Sequence, residues 1–143
     1  ALVDKKRDDI LNEFSRKHVV KLVRKSRATY WTADRAFRVA CTISKRYEDP
    51  KDPYWFGYDH KWREFISSSY EGFFVLGGMD LNVAFAIPAS VMEAKLNDRN
   101  TTDNRRGMWW HIVLRQQADE KYFMVCSKTG NHLDLTPYLF NLT

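Results

Sequence analysis

Phe37-Arg38-Val39-Ala40-Cys41-Thr42-Ile43-Ser44 is the stretch on which the fold turns. Phe37, Val39, Cys41 and Ile43 alternate with Arg38, Ala40, Thr42 and Ser44, a period of two that predicts a β-strand. One face enters the core, and the other presents small polar groups and one guanidinium. Glu48-Asp49-Pro50-Lys51-Asp52-Pro53 must then turn, because two prolines block sheet pairing. Tyr54-Trp55-Phe56-Gly57-Tyr58 reads as a second strand and the antiparallel partner of the first.

Downstream, the pattern stays short-ranged. Asp59 is an N-cap for a helix carrying Trp62, Phe65 and Ile66, which Ser67-Ser68-Ser69 ends. Phe73-Phe74-Val75-Leu76 is a buried strand closed by Gly77-Gly78, and Val83, Phe85 and Ile87 alternate up to Pro88. Ser90 to Leu96 reads as a short helix, and the polar, basic run from Asn97 to Gly107 as an exposed loop. Trp109–Arg115 and Tyr122–Ser127 form a last hairpin, Lys128–Asn131 is a turn, and Pro137–Leu142 is a closing helical turn. Upstream, Leu11, Phe14, His18 and Leu22 recur at helical spacing and predict an amphipathic helix over Asp4–Arg24, with Lys25–Asp34 as a connector.

Six short strands with small inserted helices do not repeat the crossover pattern of a parallel α/β sheet. The expectation is an α+β fold: a curved, mainly antiparallel sheet or partly closed barrel, braced by the N-terminal helix. At 143 residues the chain reads as one domain, with residues 1–34 a basic arm and connector and residues 35–143 a β-rich body. It begins with Ala1, which suits a module of a larger protein. Cys41 and Cys126 lie in apolar runs without zinc or disulfide spacing, so a reduced, cytoplasmic chain is expected. No apolar run approaches the roughly 18 residues that span a bilayer, and no membrane partner is expected.

Charge is distributed unevenly. Residues 1–46 hold 13 Lys/Arg against 5 acids, a net charge of +8, while the remainder is net −3. A basic arm on an aromatic-rich body points to a polyanion, with nucleic acid the commonest and DNA ahead of RNA. The phosphate-contacting candidates are Arg16, Lys17, Arg24, Lys25 and Arg38, joined by Arg99, Arg105 and Arg106 in the polar loop. Aromatic strands supply the base-binding candidates: Trp55, Tyr58, His60, Trp110 and His111. Alternation places Tyr54, Phe56 and Tyr58 on one face and Trp55 with Gly57 on the other. It likewise separates Trp109, His111 and Val113 from Met108, Trp110, Ile112 and Leu114.

An enzyme reading rests on Asp80 with Glu93-x-Lys95, which mimics the carboxylates and lysine of magnesium-dependent nucleases. Such a set needs Glu93 and Lys95 on a strand, where they would share a face; on a helix they point apart. No zinc spacing, nucleophile motif or glycine-rich phosphate loop occurs, and no cofactor is expected. A third reading is a protein-interaction domain that docks through its N-terminal helix.

Tyr54-Trp55-Phe56 leading into Trp62, Phe85-Ala86-Ile87-Pro88, and Trp110-His111-Ile112 with the closing Leu133-Asp134-Leu135-Thr136 resemble small barrel modules of the PUA-like type. That group includes the EVE and YTH readers of modified bases, and similar modules are attached to bacterial restriction proteins. The resemblance spans residues 37–140 and implies a nucleic-acid reader within a restriction or defence protein.

Overall fold

The computed structural model describes residues 1–96, 101–105, 107–117, 120–126 and 128–142, with Asn104 described by its backbone alone. The fold is α+β. In chain order it comprises α1 (Leu2–His18), β1 (Val23–Arg24), β2 (Thr29–Trp31), β3 (Phe37–Ser44), β4 (Tyr54–Asp59) and α2 (His60–Ser67). Then come β5 (Glu71–Gly78), β6 (Val83–Pro88), α3 (Ala89–Lys95), β7 (Thr101–Asn104) and β8 (Gly107–Gln117). β9 (Lys121–Met124), β10 (Leu133–Asp134), a 3₁₀ turn at Thr136–Tyr138 and β11 (Leu139–Asn141) complete it. No described helix is long and apolar enough to cross a membrane.

The strands form two sheets. The first runs β1-β2-β3-β5-β6-β11, and the second β10-β9-β8-β4 with β7 also paired to β8. Eight of the nine pairings among the described residues are antiparallel, whereas β3 and β5 run parallel in register from Phe37↔Glu71 to Ser44↔Gly78. β4 is therefore not the partner of β3. It crosses to the second sheet, where Tyr54↔Leu114 through Asp59↔Trp109 pair it with β8. Alternation identifies a strand, but nothing local says which neighbour it takes.

The first sheet is buried on both faces. Val39, Cys41, Val75, Ala84 and Ala86 point to one side, where Ile10, Leu11 and Phe14 of α1 close a core. Ala40, Phe74, Leu76, Phe85 and Ile87 point to the other, against Tyr54, Phe56, Tyr58, Trp110, Ile112 and Leu114 of the second sheet. This explains why residues 73–76 are continuously apolar rather than alternating. It also corrects the expectation for residues 37–44: their small side chains face the second sheet, and Ala40 and Ser44 are buried.

Four segments differ from expectation. The helix stops at His18, and Val19 takes a left-handed conformation (φ 54°) with its side chain in solvent. The end of the expected helix and the connector each hold a strand, because Val23 and Arg24 pair with Trp31 and Tyr30. Val20 and Leu22 still pack on the core of α1, so the apolar stripe is satisfied without helix. The polar loop contains β7, a hairpin arm registered from Thr101↔Trp110 to Asn104↔Gly107. The closing segment is mostly β11, with Phe140 opposite Ala84 in β6.

Because the apolar face of α1 is spent inside the domain, Phe14→Ala should cost about 3–5 kcal/mol in urea unfolding. Lys17→Ala, on the solvent side, should stay within about 0.5 kcal/mol. Equal, small effects would mean that the helix is a detachable arm.

Candidate functional site

α1 carries five Lys/Arg and four acids, so its own excess is only +1. Lys5 pairs with Asp9 at 3.2 Å, Arg7 with Asp4 at 2.9 Å and Arg16 with Glu13 at 3.0 Å. The remaining +7 lies in residues 19–46, where eight bases meet one acid, Asp34. Those residues are β1, β2, β3 and their turns. Among the described residues, Lys21, Arg24, Lys25, Arg27, Arg35 and Arg38 join no salt bridge.

Three of these cations gather on two rings. Trp31 ends β2 and lies 5.5 Å from Phe65 of α2, centroid to centroid. The Arg35 guanidinium lies 4.5 Å over the Trp31 ring and that of Arg38 5.3 Å, with the Lys25 ammonium at 5.7 Å. Arg38 and Lys25 also sit 5.0 and 5.5 Å from the Phe65 ring. Arg38 is fixed further by donating to the Arg35 and Phe65 carbonyls at 2.9 and 3.2 Å and to Ser68 Oγ at 3.1 Å. Arg35 occupies φ 63°, a left-handed conformation that a non-glycine residue adopts at a cost of about 1–3 kcal/mol. The β2–β3 turn holds it there: Asp34 Oδ1 accepts from the Ala36 amide at 3.1 Å, and Arg35 N–H donates to the Thr32 carbonyl at 2.8 Å. The rings are covered by the protein's own cations, so this patch offers positive charge in a fixed array rather than a bare stacking surface.

A different aromatic group lies on the outer face of the second sheet. Trp55 is 38% exposed, and its Nε1–H donates to His111 Nδ1 at 3.1 Å. An indole can only donate. His111 Nδ1 is therefore the acceptor, the neutral ring carries its proton on Nε2, and that N–H donates to Thr102 Oγ1 at 2.7 Å. Trp109 lies beside them: a Cβ placed on Gly57 would stand 3.3 Å from Trp109 Cδ1 and 3.5 Å from Trp55 Cη2. The missing side chain at Gly57 lets both indoles lie across the strand.

The five base-binding candidates divide. Trp55 and His111 meet on this outer face. Tyr58 and Trp110 are buried between the sheets, 0% and 8% exposed, and the Tyr58 ring lies tilted 4.4 Å from Phe74 and 5.8 Å from Trp110, centroid to centroid. They are core residues because pairing with β8 turns their face inward. His60 is elsewhere again, at the start of α2, with Nδ1 2.9 Å from the Met108 carbonyl oxygen. Of the phosphate candidates, Lys25 and Arg38 converge. Arg16 is spent on Glu13, Lys17 lies 5.7 Å from the Phe140 ring, and Arg24 donates to the Ser26 carbonyl at 3.1 Å. Arg105 is exposed after β7, and Arg99 and Arg106 lie outside the described residues. Trp31, Arg35, Phe65 and Trp109 were not singled out in the sequence. For Trp109, the alternation that grouped it with His111 was the available signal.

The carboxylates of the nuclease reading are held apart by separate partners. Residues 89–95 are helix, and Arg63 grips Glu93 with two bonds of 2.6 and 2.8 Å. Asp80 accepts from Arg46 Nε at 2.6 Å and from the Tyr54 hydroxyl at 2.8 Å, and Arg46 also donates to Gln116 at 2.7 Å. Among the described residues, no group of three or more His, Cys, Asp or Glu could hold a metal. The hydrogen bonds from Arg63 hold the Glu93 carboxyl below its ordinary value of 4.5. Burial pushes Asp80 up, but Arg46 and Tyr54 outweigh it and hold the carboxyl below 3.8. No protein-family model matches the chain, and no curated protein or solved structure is significantly similar to it.

Tyr58 supplies a test of these placements. Its hydroxyl is buried without a hydrogen-bond partner among the described residues, and burial, with the nearby Glu93 charge, raises its pKa. Tyr58→Phe should therefore leave stability equal or higher by up to about 1 kcal/mol, whereas Trp110→Ala should lose about 3–5 kcal/mol. A clear loss on Tyr58→Phe would reveal a partner for the hydroxyl.

The two ion pairs predict an acid limb. Both carboxylates have depressed values when folded, so their stabilisation is complete above 3.8 and 4.5 and is lost as pH falls through the folded values. Glu93→Gln should lower stability at pH 7 and make its fall below pH 4.5 shallower. A parallel pH profile would show that the pair contributes nothing. Both pairs are part-exposed, so the effect is modest.

Proposed function

We propose that the chain is a nucleic-acid-binding module that contacts phosphates through β1, β2 and β3. The observation that carries this reading is the array of Lys25, Arg35 and Arg38 on Trp31 and Phe65, outside any salt bridge among the described residues and within a segment of net charge +7. Cations fixed on rings lose less freedom when they meet an anion, and a strained backbone at Arg35 is retained where it orients a functional group. A polyanion with regular charge spacing is the partner that uses several such cations at once. DNA remains ahead of RNA, and a reader role beside other domains of a restriction or defence protein follows from the PUA-like resemblance. The binding element moves from the helix to the strands that follow it. The alternative protein-docking helix would need an apolar face, and that of α1 is buried in its own core.

Salt titration tests this. Each phosphate contact on duplex DNA contributes a slope of about −0.9 in log K against log salt. Lys25→Gln with Arg35→Gln should flatten the slope by about two units, while Arg16→Gln, on the near-neutral helix, should leave it unchanged. The opposite pattern would return the interface to α1, and no measurable affinity for duplex or single strand would end the nucleic-acid reading.

A further inference from the structure

Beside Trp55, the turn between β3 and β4 encloses a shallow cavity of about 590 Å³, lined by Tyr47, Asp49, Asp52, Tyr54, Trp55 and Val113. Neither the charge excess nor the strand pattern drew attention to Tyr47 or Asp49. Tyr47 is 42% exposed, and the Lys45 ammonium sits 4.8 Å over its ring. Tyr47 N–H donates to the Pro53 carbonyl at 2.8 Å, which pins the turn that carries it. Trp55 is held by His111, and His111 by Thr102, so the indole is set before any ligand arrives.

The polar rim narrows the choice of ligand. Asp52 is committed to Arg115, at 2.8 and 3.3 Å. Asp49 uses Oδ1 alone, accepting from the Lys51 and Asp52 amides at 3.0 Å each, and those bonds hold its carboxyl below the usual range. Its Oδ2 takes no hydrogen bond from a described residue and is exposed. The cavity thus combines aromatic walls, one ionised carboxylate oxygen seeking a donor, and one ammonium at the edge seeking an anion.

We propose that this cavity binds an unpaired nucleobase bearing an exocyclic amino group, stacked on Trp55, with the amino group donating to Asp49 and Lys45 meeting the adjoining phosphate. This rests on the nucleic-acid reading above and adds the strand state and base class. A flat ring accounts for the aromatic walls. An amino group accounts for the carboxylate, as acids accept from cytosine N4 in base recognition. Thymine satisfies it poorly, because its N3–H is flanked by two carbonyl oxygens that a carboxylate repels. A quaternary ammonium would also suit aromatic walls with an acid, but the Lys45 charge already lying on Tyr47 opposes a second cation there.

The test is a titration of the full chain with deoxycytidine and thymidine hexamers, following tryptophan fluorescence. The cytidine hexamer should bind at least about fivefold more tightly. Asp49→Asn, whose amide can donate to a carbonyl, should erase or reverse that preference. Trp55→Ala should weaken both hexamers about tenfold, while Trp55→Phe retains binding but loses most of the quenching. If both hexamers bind with a steep salt slope yet neither Asp49→Asn nor Trp55→Ala changes them, the cavity proposal falls and the phosphate-binding reading stands. If choline quenches the fluorescence and neither hexamer competes, the occupant is a cation and the proposal falls. Circular dichroism melting of each variant confirms folding, which an exposed indole and a surface carboxylate leave intact.

Discussion

The parallel pairing of β3 with β5 governs everything else in this molecule. Parallel neighbours cannot be joined by a tight turn, so the chain must leave the sheet after Ser44 and re-enter at Glu71 in the same direction. The crossover is unusual in content: it carries a turn, a strand of another sheet and then α2. Because β4 travels in it, the second sheet is tied to the first and laid across its face. Because α2 follows, Phe65 comes to rest beside Trp31. Tyr47, Asp49, Trp55 and Phe65 all belong to this one connection, so both candidate surfaces are consequences of a single pairing choice.

Burial of the first sheet on both sides then separates structural charge from available charge. Arg7 of α1, at 6% exposure, donates to Asp4 of its own helix and to the Cys41 carbonyl of β3. Arg46, Arg63 and Arg115 each hold a carboxylate: they join the β3–β4 turn to the β5–β6 turn, α2 to α3, and β8 to the β3–β4 turn. These guanidiniums are spent on architecture. Lys25, Arg35 and Arg38 are held by rings and carbonyls instead, which orient a cation without neutralising it. Formal charge is therefore a poor guide to where an anion could bind. Of the 13 bases counted in residues 1–46, Lys5, Arg7, Arg16 and Arg46 already have carboxylate partners.

Histidines and cysteines show the same division. His18 lies among Phe14, Phe37 and Phe73 at the edge of the core, with ring centroids 4.3 to 5.6 Å away, and burial lowers its pKa. Cys41 is fully buried, and its thiol is pushed up to about 12, which leaves it unreactive. His111 belongs to the surface instead, where its tautomer is set by an indole that can only donate.

Local chemistry determined the identity of most elements here. The alternation of residues 37–44, the Asp59 cap whose side chain accepts from the Lys61 amide at 2.8 Å, and the proline that ends β6 were legible because each depends on neighbours within a few residues. The grouping of Tyr54 with Phe56 and Tyr58, and of Trp109 with His111, was legible too, since strand periodicity fixes which side chains share a side but not which side is inward. Partner choice, the early end of α1, the strands hidden in residues 23–31 and the site contacts were not. Periodicity carries no information about which strand lies alongside, and a helical stripe can be satisfied by Val20 and Leu22 in extended chain on the same core. Trp110 resembles Trp109 in the sequence, and only pairing with β4 placed one in the core and the other half-buried on the outer face. The convergence of Lys25, Arg35 and Arg38 on two rings, one of them 34 residues after Trp31, is a property of the crossover. Long-range contacts decide such sites because the energy that assembles them comes from burying both faces of the first sheet, not from the residues of the site.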